Sequence, residues 1–250
     1  MLQLFVHVVT PALLLSDGGA LVPMPKAAPA SEGTRLKAVR RAARDGMCTN
    51  QFEEAAIAAV GGEFAATYGE LTPRGFSTLA THIGLMPEDR FVDCGSGLGR
   101  LVVQAAREYG CCASAGIEYA ASRHDLAVAN LKRQLVDRDD LEPRVALHKG
   151  DCADADLWRA GNLNQCTVAF AANLLFDDSL NARLKRCLEE EATALRCVAS
   201  LKAWPNGIQG FSKPTEVRCE TSWSAPLVVG TEGSLVPHEG TVVYVYERET

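Results

Sequence analysis

The stretch Phe91-Val-Asp-Cys-Gly-Ser-Gly-Leu-Gly99 constrains this chain more than any other. An apolar run of strand character leads into three glycines separated by single residues. Helical spacing follows from Arg100 to Tyr109, and Gly110 supplies a C-terminal stop. A strand, a glycine-rich turn and a helix in that order form the opening unit of a parallel α/β sheet. The glycines allow a tight turn and let a ligand approach the backbone closely. The helix N-terminus offers unpaired N–H groups to an anionic group.

Spacing narrows the ligand. A dinucleotide fingerprint, G-x-G-x-x-G, begun at Gly95 and Gly97 requires a glycine where this chain has Arg100; the third glycine is Gly99. The pattern is therefore D-x-G-x-G-x-G, with Asp93 two residues ahead of the first glycine. A carboxylate there repels a pyrophosphate and attracts the ammonium of a methionine moiety. S-adenosyl-L-methionine is the expected cofactor, and NAD is not. Glu118 ends the next apolar run and can accept both ribose hydroxyls. Asp151, in Lys149-Gly-Asp-Cys152, ends the third and can accept from an adenine amino group.

Around this motif, apolar and helical stretches alternate. Strands are expected at Phe91–Cys94, Cys111–Glu118, Arg144–His148, Thr167–Ala171 and Leu195–Leu201. Helices are expected at 100–109, at Ser122–Val136 with a capping box Ser122-x-x-Asp125, and at Ser179–Ala194. Val217–Trp223 and Thr241–Glu247 have no helix between them and suit an antiparallel hairpin at one sheet edge. The expected fold is α/β and doubly wound: a mostly parallel seven-stranded, Rossmann-like sheet of the class I methyltransferase kind.

The chain divides into residues 1–33, a leader and linker expected to be disordered; 34–67, a short helical extension with one helix over Asn50–Val60; and 68–250, the methyltransferase domain. Met1–Leu15 is apolar but too short to span a bilayer, and it lacks the basic n-region of a signal peptide. The formal net charge of −6 argues against a surface that is basic throughout, as a nucleic-acid binder would need. The local cluster Arg35, Lys37, Arg40, Arg41 and Arg44 is a candidate contact for phosphates. The nine cysteines form no C-x-x-C pair and no zinc-ligand spacing, so no metal site is expected. Cys94, Cys166 and Cys197 fall in apolar runs and read as reduced core residues of a reducing compartment.

Several elements go beyond the general class. Tyr68-Gly-Glu70, Thr72-Pro-Arg-Gly-Phe76, the segment from Phe91 to Cys111 and Gly116-Ile-Glu118 together resemble the disruptor-of-telomeric-silencing family. The likeness continues through Gly150-Asp151, Asn173-Leu-Leu-Phe176-Asp177-Asp178, Ser200-Leu-Lys202 and Ser222-Trp223. These are histone-lysine methyltransferases without a SET domain, which act on a folded-core lysine of histone H3 in nucleosomes. The resemblance implies a nuclear, chromatin-regulating enzyme. It implies that Tyr68, Gly69 and Glu70 close over the methionine end of the cofactor, and that Phe91, Asp93, Gly95, Ser96, Gly97, Gly99 and Arg100 form the cofactor loop. Glu118 would bind ribose, and Asp151 with Cys152 would flank adenine. Asn173 would stand beside the transferred methyl, with Tyr68 as the other candidate catalytic residue.

The chain departs from the family at one position. Where the family carries asparagine four residues before the phenylalanine matching Phe176, this chain has Ala172, and its asparagine is at 173. Tyr68, Phe176, Trp223 and Tyr244 are candidate walls of a lysine channel, with core packing the better reading for Tyr244. Two other readings remain open at this point: a methyltransferase for a non-histone protein or a small molecule, and an inactive cofactor-binding interaction module.

Overall fold

The computed structural model describes residue 49 and residues 51–135, 141–224, 227–229, 235–237 and 239–249. The leader 1–33 and the basic cluster 35–44 lie outside the described residues. The main elements are α1 (Gln51–Gly61), α2 (Pro73–His82), β1 (Arg90–Cys94), α3 (Arg100–Glu108), β2 (Ala113–Glu118), α4 (Ala121–Leu135), β3 (Val145–Lys149), α5 (Ala155–Ala160), β4 (Val168–Ala171), α6 (Asp178–Glu190), β5 (Cys197–Ser200), β6 (Thr215–Cys219), β7 (Leu227–Val229), β8 (Leu235–Pro237) and β9 (Thr241–Glu247).

Seven strands form one sheet in the order β3-β2-β1-β4-β5-β9-β6. The five strands from β3 to β5 run parallel, and β9 runs antiparallel to both of its neighbours. The expected antiparallel C-terminal pair is therefore present at one edge of the sheet. The last strand inserts between β5 and β6 and carries Val243, Val245 and Tyr246 into the core. A second, two-stranded hairpin, β7–β8, occupies the connection between β6 and β9.

Side-chain alternation along the central strands feeds two cores, one on each face of the sheet. Val92, Cys94, Ala115, Ile117, Ala169 and Val198 pack with Trp158 of α5 and with Leu180, Leu184 and Leu188 of α6. Phe91, Val168, Phe170 and Cys197 pack on the other face with Phe76 and Leu79 of α2 and Leu101 and Ala105 of α3. Cys94, Cys166 and Cys197 are buried and free, as expected.

α2 and α5 were absent from the sequence expectation. Thr72 caps α2, accepting from the Gly75 N–H at 3.1 Å, and Pro73 occupies the first turn. α2 lies so close to the end of β6 that a β-carbon on Gly75 would stand 1.9 Å from the Glu220 carbonyl oxygen. The capping box expected at Ser122 does not form. The Ser122 N–H and hydroxyl both donate to Glu53 of α1, each at 2.6 Å.

Strand order reverses between β1 and β4, the position at which open α/β sheets bind ligands, at the carboxyl ends of their strands. Among the described residues, no helix is long and apolar enough to cross a membrane.

Candidate active site

The turn after β1 takes its shape from its glycines. Gly95, Gly97 and Gly99 have φ of 90°, 52° and 70°, in the left-handed region that side chains disfavour. At Gly97 a second constraint acts: a β-carbon would meet the Tyr68 ring at 2.6 Å. The motif therefore serves both the turn and the close seating of the segment that crosses it.

A cavity opens over this turn. Its walls include Tyr68, Gly69, Glu70, Asp93, Gly95, Ser96, Gly97, Glu118, Asp151 and Cys152, so ten of the residues expected at the site are brought together. Four are not on its walls. Phe91 points into the core against Phe76, with ring centroids 5.4 Å apart. Gly99 caps α3, with Leu147 nearest to where a side chain would project. Arg100 is largely exposed and reaches Glu70 from outside.

Asn173 is the fourth, and its side chain is not on the cavity wall. Its side chain is fully buried in protein–protein hydrogen bonds: Nδ2 donates to Asn181 Oδ1 at 2.7 Å and to the Lys202 carbonyl at 3.1 Å, while Oδ1 accepts from the Lys202 N–H at 2.8 Å. It clamps the end of β4 to the end of β5. Ala172 lines the cavity in its place. Tyr244 packs against the core cluster beneath α6, in keeping with the core reading.

The acids have distinct environments. Glu118 holds the turn together: one oxygen accepts from the Gly97 N–H at 2.8 Å and the other from the Ala120 N–H at 2.9 Å. Asp151 accepts from the Ala153 N–H at 2.8 Å and from Arg183 at 2.6 Å. Asp93 is 3% exposed, and its Oδ1 has no hydrogen-bond partner. Burial, with Glu118 and Glu70 nearby, pushes its pKa up to about 8. A buried carboxyl group without a partner, facing a cavity, suits a ligand that supplies a cation.

The segment 62–71 closes one side. The Tyr68 hydroxyl and Arg100 both donate to Glu70. Burial, reinforced by Glu70, raises the Tyr68 phenol far above its ordinary pKa, so it stays a donor. Arg123 lies 5.4 Å from the Tyr68 ring centroid and donates to the Ala66 carbonyl. Sequence reasoning missed Arg123, Tyr119 and the α1 residues Ile57 and Val60, all of which line the cavity. No motif marks them; for Ile57 and Val60 the only signal was the helix expected before Gly61-Gly62.

Beyond Tyr68 an apolar slot continues, walled by Ala172, Leu174, Leu175, Phe176, Leu201 and Trp223, with Ala65, Thr67, Tyr68 and Gly69 on its other side. Among the described residues, no charged side chain lines it. Nor does any group of three or more His, Cys, Asp or Glu among them suit a metal ion.

This sheet order, with acids at successive strand ends around a glycine turn, defines the class I methyltransferase fold. The methyltransferase domain of bacterial CtHen1 superposes in two structures with TM-scores of 0.53 and 0.51. These cover 72% and 71% of this chain and all of the other, at 13% and 14% identity. The family model described as histone methylation protein DOT1 matches residues 62–213, more than half of the chain, and the chain belongs to that family. Curated relatives named H3 lysine-79 specific histone-lysine N-methyltransferases include one from Eremothecium gossypii, 31% identical over 56% of this chain, and one from Candida albicans, 34% identical over 50%. One from Emericella nidulans is 50% identical over 24% of the chain. The matches span 25%, 10% and 12% of those proteins' own lengths.

Proposed function

We propose that this chain is an S-adenosyl-L-methionine-dependent protein-lysine methyltransferase acting on histone H3 in nucleosomes. The observation that supports it best is a pair of adjoining cavities of different character with shared walls. Carboxylates face one, and an uncharged slot sharing Tyr68, Gly69, Ala172 and Phe176 continues from it.

The residues present fit the cofactor. Asp93, buried with an oxygen unpartnered, would take the ammonium. Glu118 would accept the ribose hydroxyls and Asp151 the adenine amino group, with Cys152 flanking the ring. The backbone of Gly95, Ser96 and Gly97 allows close approach, and Tyr68, Gly69 and Glu70, steadied by Arg100, close over the methionine end. When bound, the cofactor supplies a sulfonium-activated methyl, so the protein's work is alignment and exclusion of water. A lysine ε-amine entering the slot is desolvated by Tyr68, Phe176 and Trp223, which favours the neutral, nucleophilic form.

A nuclear location is part of this reading, supported by membership of a histone-methylation family, and the cluster Arg35–Arg44 would contact nucleosomal phosphate. A second reading, an inactive cofactor-binding module, is favoured by one observation: Ala172 presents a methyl where the family has asparagine. Radiolabelled methyl transfer onto nucleosomes, free histones and lysate protein tests both readings. Label on nucleosomal H3 is expected. Label on another protein alone would remove the histone assignment, and no label despite tight S-adenosylhomocysteine binding would leave the module.

A further inference from the structure

Arg183 belongs to no motif and lies off the cavity wall, on α6. Its guanidinium forks. Nη1 donates to Asp151 Oδ2 at 2.6 Å, and Nη2 donates to the Val60 carbonyl, in the last turn of α1, at 3.1 Å. Asp151 lines one side of the cavity, while Val60 and Gly61 line it from α1. One side chain thus joins the acid at the end of β3 to the helix that covers the cavity.

We propose that Arg183 is a positioning residue for purine recognition, fixing the Asp151 carboxylate toward the 6-amino group of the bound nucleoside and tying that acid to α1. This rests on reading the cavity as the S-adenosylmethionine site.

A carboxylate held through one oxygen can swing about its own bond. Here the other oxygen accepts from the Ala153 N–H at 2.8 Å, so the two anchors together set the plane of the group. Each oxygen keeps a further lone pair for an incoming amino group. The second arm of the fork acts on α1, whose C-terminus is already held from α6. The Asp177 N–H donates to the Gly61 carbonyl at 2.8 Å. A β-carbon on Gly61 would stand 2.8 Å from Leu180 of α6. A lysine at 183 keeps the charge but cannot present a rigid planar fork to two acceptors.

The test compares two ligands by calorimetry: S-adenosylhomocysteine and its analogue lacking the purine 6-amino group. The parent should prefer the amino-bearing ligand by roughly ten- to a hundred-fold, the range for a hydrogen bond to a charged acceptor. Arg183→Met should lose most of that preference, mainly through weaker binding of S-adenosylhomocysteine, while the analogue's affinity changes little. Arg183→Lys should fall between, and it carries the test should Arg183→Met fail to fold. A preference kept intact in both variants overturns the proposal, as does an equal loss of both ligands, which would mark Arg183 as a purely structural tie. Asp151→Asn separates the underlying reading. If the parent shows no preference, or keeps it without Asp151, the assignment of adenine to Asp151 fails first and this inference fails with it.

Discussion

Replacing Asp93 with asparagine is expected to stabilise the ligand-free protein while it weakens cofactor binding. Asp93 is buried, its Oδ1 has no partner, and its pKa is pushed up to about 8 in the folded state, against 3.8 for the free side chain. Its raised value means that the folded protein holds a proton that the unfolded chain releases. The folded state is therefore penalised increasingly as pH rises from near 4 toward 8, and the penalty levels off above that. Each unit in this window costs at most about 1.4 kcal/mol, so pH 6 to pH 8 costs at most about 2.7 kcal/mol. Asparagine is isosteric and does not titrate. The melting-temperature advantage of Asp93→Asn over the parent should thus widen between pH 6 and pH 8, by up to about 5–10 °C for a domain of this size. Thermal melts of the two ligand-free proteins across that range measure it directly. Calorimetry with S-adenosylhomocysteine supplies the second half: affinity should rise with pH in the parent and fall roughly ten- to a hundred-fold in the variant. An advantage for Asp93→Asn that stays constant with pH would show that Asp93 is ionised in the folded protein, and the argument for an awaiting cation would collapse.

Glu118→Ala should weaken S-adenosylhomocysteine by about 1.5–3 kcal/mol through the ribose contact alone, and by more where the Gly97 N–H is also released. Unchanged affinity by calorimetry would remove the site assignment. Asn173→Ala should lower stability in urea titrations by roughly 1–3 kcal/mol for each partner left unsatisfied, yet leave cofactor affinity intact. A variant that is fully stable but inactive would return Asn173 to the chemistry. NAD should give no thermal protection, because Asp93 faces the glycine turn where a pyrophosphate would sit, and a shift matching that of S-adenosylhomocysteine would refute this.

The central fold was legible because its signals are local. A strand, three glycines and a helix span few residues, and each glycine's left-handed φ is a requirement that sequence alone can display. Thr72-Pro73 is an equally local signal for α2, a Thr N-cap followed by proline in the first turn. α5 is six residues long, too short for periodicity to show. The place of β9 between β5 and β6 was illegible for another reason: strand order is decided by long-range pairing, and an alternating run reads the same at an edge or inside. Ser122 shows a local rule losing to a tertiary partner, since Glu53, distant in sequence, takes both of its donors.

The site divides along the same line. Acids at strand ends could be placed from spacing, because a parallel sheet brings all such ends to one side. What spacing could not decide was the meaning of Ala172-Asn173. A motif displaced by one residue would be harmless in a flexible loop. Here Ala172 caps a 3₁₀ turn, Asn173–Leu175, in which successive side chains are about 120° apart. One step along that turn carries a side chain from the slot to the core, and the buried amide of Asn173 is fully committed to Asn181 and Lys202. So held, the Asn173 amide does not face the slot. On the proposed reading, an amine in the slot would meet a methyl at position 172, with Tyr68, Phe176 and Trp223 as the walls that would align and desolvate it. Position 172 therefore offers the slot a methyl group and no hydrogen-bonding side chain.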